Sequence, residues 1–586
     1  MASEARRLLT AHFLRRLVDD DLISPNADRH ESLAMICGCL ASMGLFVSVL
    51  VSMKYLFNPY QTPGATAISA LFDRFLFVSA SMTATALVTL LAWDGLAVDA
   101  RDASVLGAMP IRTRTIVGAK FGALVRFAAM FAGALNVASC VIAPALMVSK
   151  LPIRAWQLPL LILAQAATVA MAAAFGFFAV LALRGLLHAV LGRALFAKVS
   201  ALVQATLLVA VACAFLLLPV VVSRMNRVWL EPQSRAALMA PPLWFVGLQE
   251  MAVGHIIADL PRRQMPPRIR EGEARATQLY AGARALFPDL ALTAVIKLTA
   301  VTVSAILLFA WNNRRMVPPP PAAATAGWIR RGIGAAARVV IRQPETQASF
   351  FFALQTLLRS AQHRLTLAAS LAFGLTASVF AVAVGSATRA SDSVPMTAGV
   401  LAVQPVLLTA LLIGFRHAVR VPAELAANWA VQVAWAGDTR PHIAGAKAAG
   451  ALLFVVGPVL ALLPFYAVVF SPADALGIAL CGLGAGAVVL ETLFMSYRKM
   501  PFACGYLPGD LKTILPIAFA AFVFFTYQFA HIELAALRSG VAPTFAVVLA
   551  GIFLGLRSID AFRRRTPRAF EFDEMPEPPT QRLGLS

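Results

Sequence analysis

The sequence predicts an all-α, polytopic helical membrane protein with about 12 transmembrane helices in two six-helix pseudo-repeats. Three observations carry this expectation. Mean hydropathy is +0.76, with 59% hydrophobic and 13% charged residues over 586 positions, too apolar for a chain that must keep a polar surface in water. The apolar residues form unbroken runs, and eighteen or so suffice to cross roughly 30 Å of hydrocarbon as a helix. Because they do not alternate in polarity, helices rather than a closed barrel satisfy the backbone. Finally, "VPPPPAAATAG" (317–327) interrupts the pattern halfway. Consecutive prolines lack amide donors and cannot continue a helix.

Taken in order, the start "MASEARRLLTAHFLRRL" lacks the apolar core and cleavage site of a secretory signal, so the first span is expected to be retained. Within 5–18, Leu9, Phe13 and Leu17 recur every four residues, while Arg6, Arg7, Arg15 and Arg16 supply a polar side. That pattern suits an elbow helix lying in a membrane interface; a basic flank is the plainer alternative. Spans are expected at 34–57, 67–93, 116–147, 157–183, 199–223 and 288–311, with an outer insertion at 224–287. These make a first half, 1–316. A Pro/Ala/Arg-rich cytoplasmic linker follows at 317–349. The second half, 350–586, opens on the amphipathic "FFFALQTLLRSAQHRL" (350–365), has spans at 364–386, 396–417, 444–470, 473–496, 513–531 and 541–558, and ends in a cytoplasmic tail.

The net charge of +21 suggests nucleic acid until its placement is considered. The basic residues sit at span ends, the bias that orients membrane proteins with Lys and Arg inside. It predicts a bacterial inner-membrane protein with both termini cytoplasmic, a lipid bilayer as partner, and no nucleic acid. The segment 224–287 would lie outside yet carries nine arginines; loops this long largely escape the bias. The six cysteines fall mostly inside spans, and none of the eight histidines has metal-ligand spacing with a carboxylate. No metal, cofactor or catalytic residue is predicted.

Both halves place a polar interval after two spans, and both intervals end in nearly the same fragment: "IVGAK" (116–120) and "IAGAK" (443–447). The match is short, but its equivalent position suggests internal duplication, a common way to build a transporter around a central path. The first interval, "WDGLAVDARDASVLGAMPIRTRTIVGAK" (93–120), is expected to include a helix parallel to the membrane, with Asp94, Asp99 and Asp102 near its start, where the helix dipole favours them.

At this stretch the sequence resembles the permease subunits of ATP-binding-cassette exporters of the type-2 superfamily. These have an elbow helix, two spans, and a cytoplasmic coupling region of the form acidic–x–leucine–x–x–x–P–basic…K. Asp102, Leu106, Pro110, Arg112, Arg114 and Lys120 follow in that order here. The second half supplies Glu424, Arg440 and Lys447 but lacks the Leu-x-x-x-Pro element and an outer insertion. The resemblance implies a fused double-length permease, working as a pseudo-dimer with a separate ATPase subunit, and short re-entrant helices in the outer insertion. This chain has no GxxxxGK[ST] loop with which to hydrolyse ATP itself.

Two other classes compete. Gly95, Asp99 and Arg101 between spans two and three partly match the G-x-x-x-D-[RK] loop of major-facilitator secondary transporters, though the glycine–arginine pair that should follow is absent. A membrane-embedded enzyme would need a polar cluster at one depth. The charges that fall within spans are Asp73, Arg74, Arg126, Lys297 and Glu491. A charge at the bilayer centre costs roughly 2.5–3.5 kcal/mol, so each must be paired, interfacial or useful. For Asp73, Arg74 and Lys297 the sequence favours an interfacial position with snorkelling side chains.

Overall fold

The computed structural model describes residues 2–19, 29–58, 61–98, 102, 105–106, 109, 111–218, 221, 240–260, 266–313, 341–387, 398–423, 433, 440–495, 497, 499–504 and 511–563. Their regular structure is helical, and the contacts divide the chain into Met1–Ala323 and Ala324–Ser586. Among the described residues, eleven helices are long and apolar enough to cross a membrane, by length and composition. The remaining expected span, 513–531, lies within a further helix, Leu511–Arg538. The chain is an all-α polytopic membrane protein.

The first unit comprises α1 (Ala2–Asp19), α2 (Arg29–Phe57), α3 (Pro63–Leu91), α4 (Thr113–Met147), α5 (Gln157–Leu216), α6 (Pro241–Gln249), α7 (Pro267–Arg284) and α8 (Phe287–Asn313). Helix α5 covers two expected spans. Its arms meet at Gly192, whose φ of 68° only glycine adopts without strain. The first arm continues through the basic stretch after residue 183, where the sequence predicts a connection. Helix α6 runs on through a π turn, Glu250–Gly254, and a last turn, His255–Ala258. Here α3 packs on α5, α2 and α1 on α4, and α8 on α5 and α6. The core joins Phe75 and Phe77 of α3 to Trp244 and Phe245 of α6 and Tyr280 of α7. The insertion is therefore built into the bundle.

The second unit comprises α9 (Pro344–Arg359), α10 (Ala361–Ala387), α11 (Val403–Ala418, preceded by the turn Ala398–Leu401), α12 (Arg440–Ala451), α13 (Gly457–Val469), α14 (Pro472–Phe494), α15 (Leu511–Arg538) and α16 (Ala542–Arg563). The amphipathic stretch expected over 350–365 differs: its helix starts at Pro344, within the expected linker, and ends at Ser360, where ψ of 127° breaks the run before α10. A π turn, Leu452–Val456, joins α12 to α13. Helix α11 is the central member, with 83% of its apolar window buried, against 11% for Ala542–Phe562 on α16. The outward apolar faces suit hydrocarbon surroundings.

Helix starts follow local chemistry. Proline stands in the first turn of α3, α6, α7, α9 and α14, where its missing amide costs nothing. Ser471 caps α14 by accepting from the Asp474 amide at 3.1 Å.

Candidate functional site

The first polar interval is fastened at the α1 end of the first unit. Phe13 and Leu17 form the buried side of α1, with Leu9 half-buried, and the helix lies along α4. The Lys120 ammonium is buried 5.1 Å above the Phe13 ring, a cation–π contact. Arg16 pairs with Asp102. Trp93 is fully buried, its indole N–H donating to Ser200 Oγ at 2.8 Å, with the Arg184 guanidinium 5.7 Å from its ring. The Val98 amide donates to Asn313 Oδ1 at 3.3 Å. One stretch is thus tied to α1, α5 and α8. Leu106 is buried, while Val105, Met109, Arg112 and Arg114 are exposed. The helix expected across this interval appears as a 3₁₀ turn at Asp94–Leu96 and helical residues at 102 and 105–106. Pro110 and Glu424 lie outside the described residues.

The second unit repeats part of this arrangement. In both, the helix preceding the first span packs on the helix that carries the repeated fragment: α1 on α4, and α9 on α12. Ile116 and Ile443 are both buried. The lysines differ. Lys447 reaches Glu491 of α14 and lies 3.4 Å from Asp560 of α16, joining three helices, whereas Lys120 sits on an aromatic ring. Arg440 is exposed.

Residues 497 and 499–504 pack against the end of α11 in the second unit. The Tyr497 hydroxyl donates to Val419 O at 3.1 Å, and the Phe502 amide donates to the same oxygen at 3.0 Å. Ala423 N returns a bond to Phe502 O at 2.8 Å. Phe502 takes φ of 61°, uncommon for a bulky residue. The Arg416 guanidinium lies 4.2 Å from the Tyr497 ring, and buried His363 lies 3.1 Å from Val421 O through Nε2. Thus 419–423, where the second polar interval begins, is clamped.

The opposite end of the first unit holds the charges that seemed misplaced in sequence. Asp73 and Arg74 are both buried rather than snorkelling. Asp73 accepts from Lys54 Nζ at 2.6 Å and from the Tyr55 hydroxyl at 2.5 Å. Arg74 pairs with Glu250 of the π turn, and Tyr280 of α7 donates to the other Glu250 oxygen at 2.7 Å. Burial, reinforced by the Glu250 carboxylate, pushes the Tyr280 phenol up, which keeps it a donor. Glu273 of α7 accepts from the amides of Gly64 at 2.6 Å and Ala65 at 3.0 Å. Those first-turn donors have no partner within their own helix, and the N-cap, Thr62, makes no side-chain bond to them. Arg126 and Lys297 are exposed on their helices.

A cavity of about 510 Å³ lies among α3, α4 and α5, lined almost wholly by apolar groups such as Val125, Ala170 and Phe177. Asn136, which lines it together with Thr85, donates to Ser81 Oγ at 2.9 Å and to Ala132 O at 2.8 Å. Its walls suit an apolar guest.

Compared with known proteins, the chain matches no family model, no curated protein and no solved structure.

Proposed function

We propose that this chain is the permease of an ATP-binding-cassette exporter in a bacterial inner membrane, moving an apolar cargo by alternating access while a separate ATPase supplies energy. The observation that carries this reading is the first polar interval, tied to α1, α5 and α8 and presenting exposed Val105, Met109, Arg112 and Arg114. A partner that pushes on such a handle moves several helices together. The second interval, clamped at 419–423, is the lesser contact. The apolar cavity supports a greasy cargo.

Arg112→Glu with Arg114→Glu is expected to abolish co-purification of the proposed partner ATPase, with the permease still folded, because both side chains are exposed. Retained co-purification would count against the docking assignment, and reconstituted transport driven by a proton gradient alone would overturn the exporter reading.

Orientation has its own test. A cysteine at Gly272, an exposed position on α7 with open space around it, is expected to react with an impermeant thiol reagent on intact cells. One at Leu8 of α1, also exposed, is expected to react only after lysis. The reverse pattern would invert the topology and remove 94–114 from reach of any cytoplasmic ATPase.

A further inference from the structure

The second unit buries a carboxylic acid in its helical core. Glu533 of α15 is 1% exposed, and neither carboxyl oxygen has a hydrogen-bond partner among the described residues. It continues the buried stripe of α15 formed by Phe522, Thr526 and Phe529. On the central helix α11, which packs on α15, Gln404 is 2% exposed and has both amide atoms unpartnered among the described residues. The Gln404 amide lies against Gly482 of α14. Glu533 is within electrostatic reach of the Cys481 thiol next to that glycine and of the Tyr466 phenol of α13. Tyr466 in turn directs its hydroxyl at Val400 O, 3.3 Å away.

Polar groups from four elements therefore lie inside one apolar core. A lone carboxylate there, without cation or donor, is disfavoured so strongly that such a group neutralises instead. Ionisable side chains facing a bundle interior mark ion or proton paths more often than they mark structure.

We propose that Glu533 and Gln404 form a proton-binding site in the second unit, where the carboxylate takes one proton from hydronium, leaving water, and returns it to water when the helices part. Protonated, Glu533 becomes a donor as well as an acceptor, which matches the two unsatisfied functions of the Gln404 amide. Among the described residues, the titratable groups facing it are Tyr466 and Cys481. Asp474 and Arg538 sit at the ends of α14 and α15, and His531 and Tyr527 are on the outward side of α15. Arg416 and His417 occupy the far end of α11, and Asp560 the far end of α16. This site stands on the second unit's own geometry and does not depend on an ATPase partner.

Infrared spectra of the reconstituted full chain test it, taken as wild type minus Glu533→Gln across a pH series. A protonated-carboxyl band is expected at neutral pH, falling about tenfold for each pH unit above its titration point as a carboxylate band replaces it. Glu533→Asp should retain the band at a shifted frequency, which covers the case in which Glu533→Gln fails to fold. A carboxylate band already present at neutral pH would overturn the proposal. So would conversion to carboxylate on adding sodium at fixed pH, which would make the pocket a cation site.

Discussion

Arg74→Ala is expected to destabilise the first unit by about 3–5 kcal/mol, the loss seen when one partner of a buried ion pair is removed. The side chains of Arg74 and Glu250 are 4% and 1% exposed. Deleting the guanidinium strands a carboxylate that retains only the Tyr280 donor. The loss should appear as a lower unfolding temperature of the detergent-solubilised protein, with earlier protease cleavage in 250–284. Replacing both partners by apolar residues, Arg74→Met with Glu250→Leu, should restore much of the stability, because no buried charge is then left alone. The exposed pair Arg284–Asp259, at 3.1 Å, provides the control. Arg284→Ala should cost no more than about 1 kcal/mol. Equal losses from Arg74→Ala and Arg284→Ala would refute the idea that burial gives the inner pair its weight.

The two copies of the repeated fragment should answer the same substitution with opposite signs. At Gly445 an added Cβ would stand 2.5 Å from Thr346 O and 2.7 Å from Phe350 N, both backbone atoms of α9. The helices must separate to admit it, and Gly445→Ala is expected to cost about 1–3 kcal/mol. At Gly118 the nearest atom is on the Arg6 side chain, 3.8 Å away, an ordinary contact. Gly118→Ala should therefore stabilise α4 by roughly 0.5–1 kcal/mol by removing a glycine from a helix interior. Unfolding temperatures of the two variants decide the matter; shifts in the same direction would mean that α9 and α12 are not held as closely as described.

The spans were legible because hydrocarbon imposes a length and a composition that each segment carries by itself. Phe13 and Leu17 lie on the buried side of α1 as their spacing suggests, since helical period is also local. Pairings across distance were not legible. Arg74 and Glu250 are 176 positions apart, and no periodicity announces that a π turn will bring one to the other. Sequence alone therefore favoured snorkelling, which needs no partner. Glu533 falls outside the expected span, which ends at 531, while α15 continues to Arg538. A signal existed: Glu533 stands seven positions after Thr526, on the same face as Phe522 and Phe529. The clamp formed by 497–504 depends on a left-handed Phe502, a conformation that residue type disfavours.

The bond from Glu273 to the opening turn of α3 also sets an order of assembly. A chain made from its N-terminus delivers α3 to the membrane long before residue 273 leaves the ribosome, since Gly64 and its acceptor are 209 positions apart. During that interval two amides at the entrance of α3 await their acceptor. Helix α3 spans roughly 43 Å at 1.5 Å per residue, so the far end, against α5, can settle independently of this late stitch. The first bundle is closed by a segment from its own second half. Its assembly is complete only once the stretch between the fifth and sixth spans has folded back onto it.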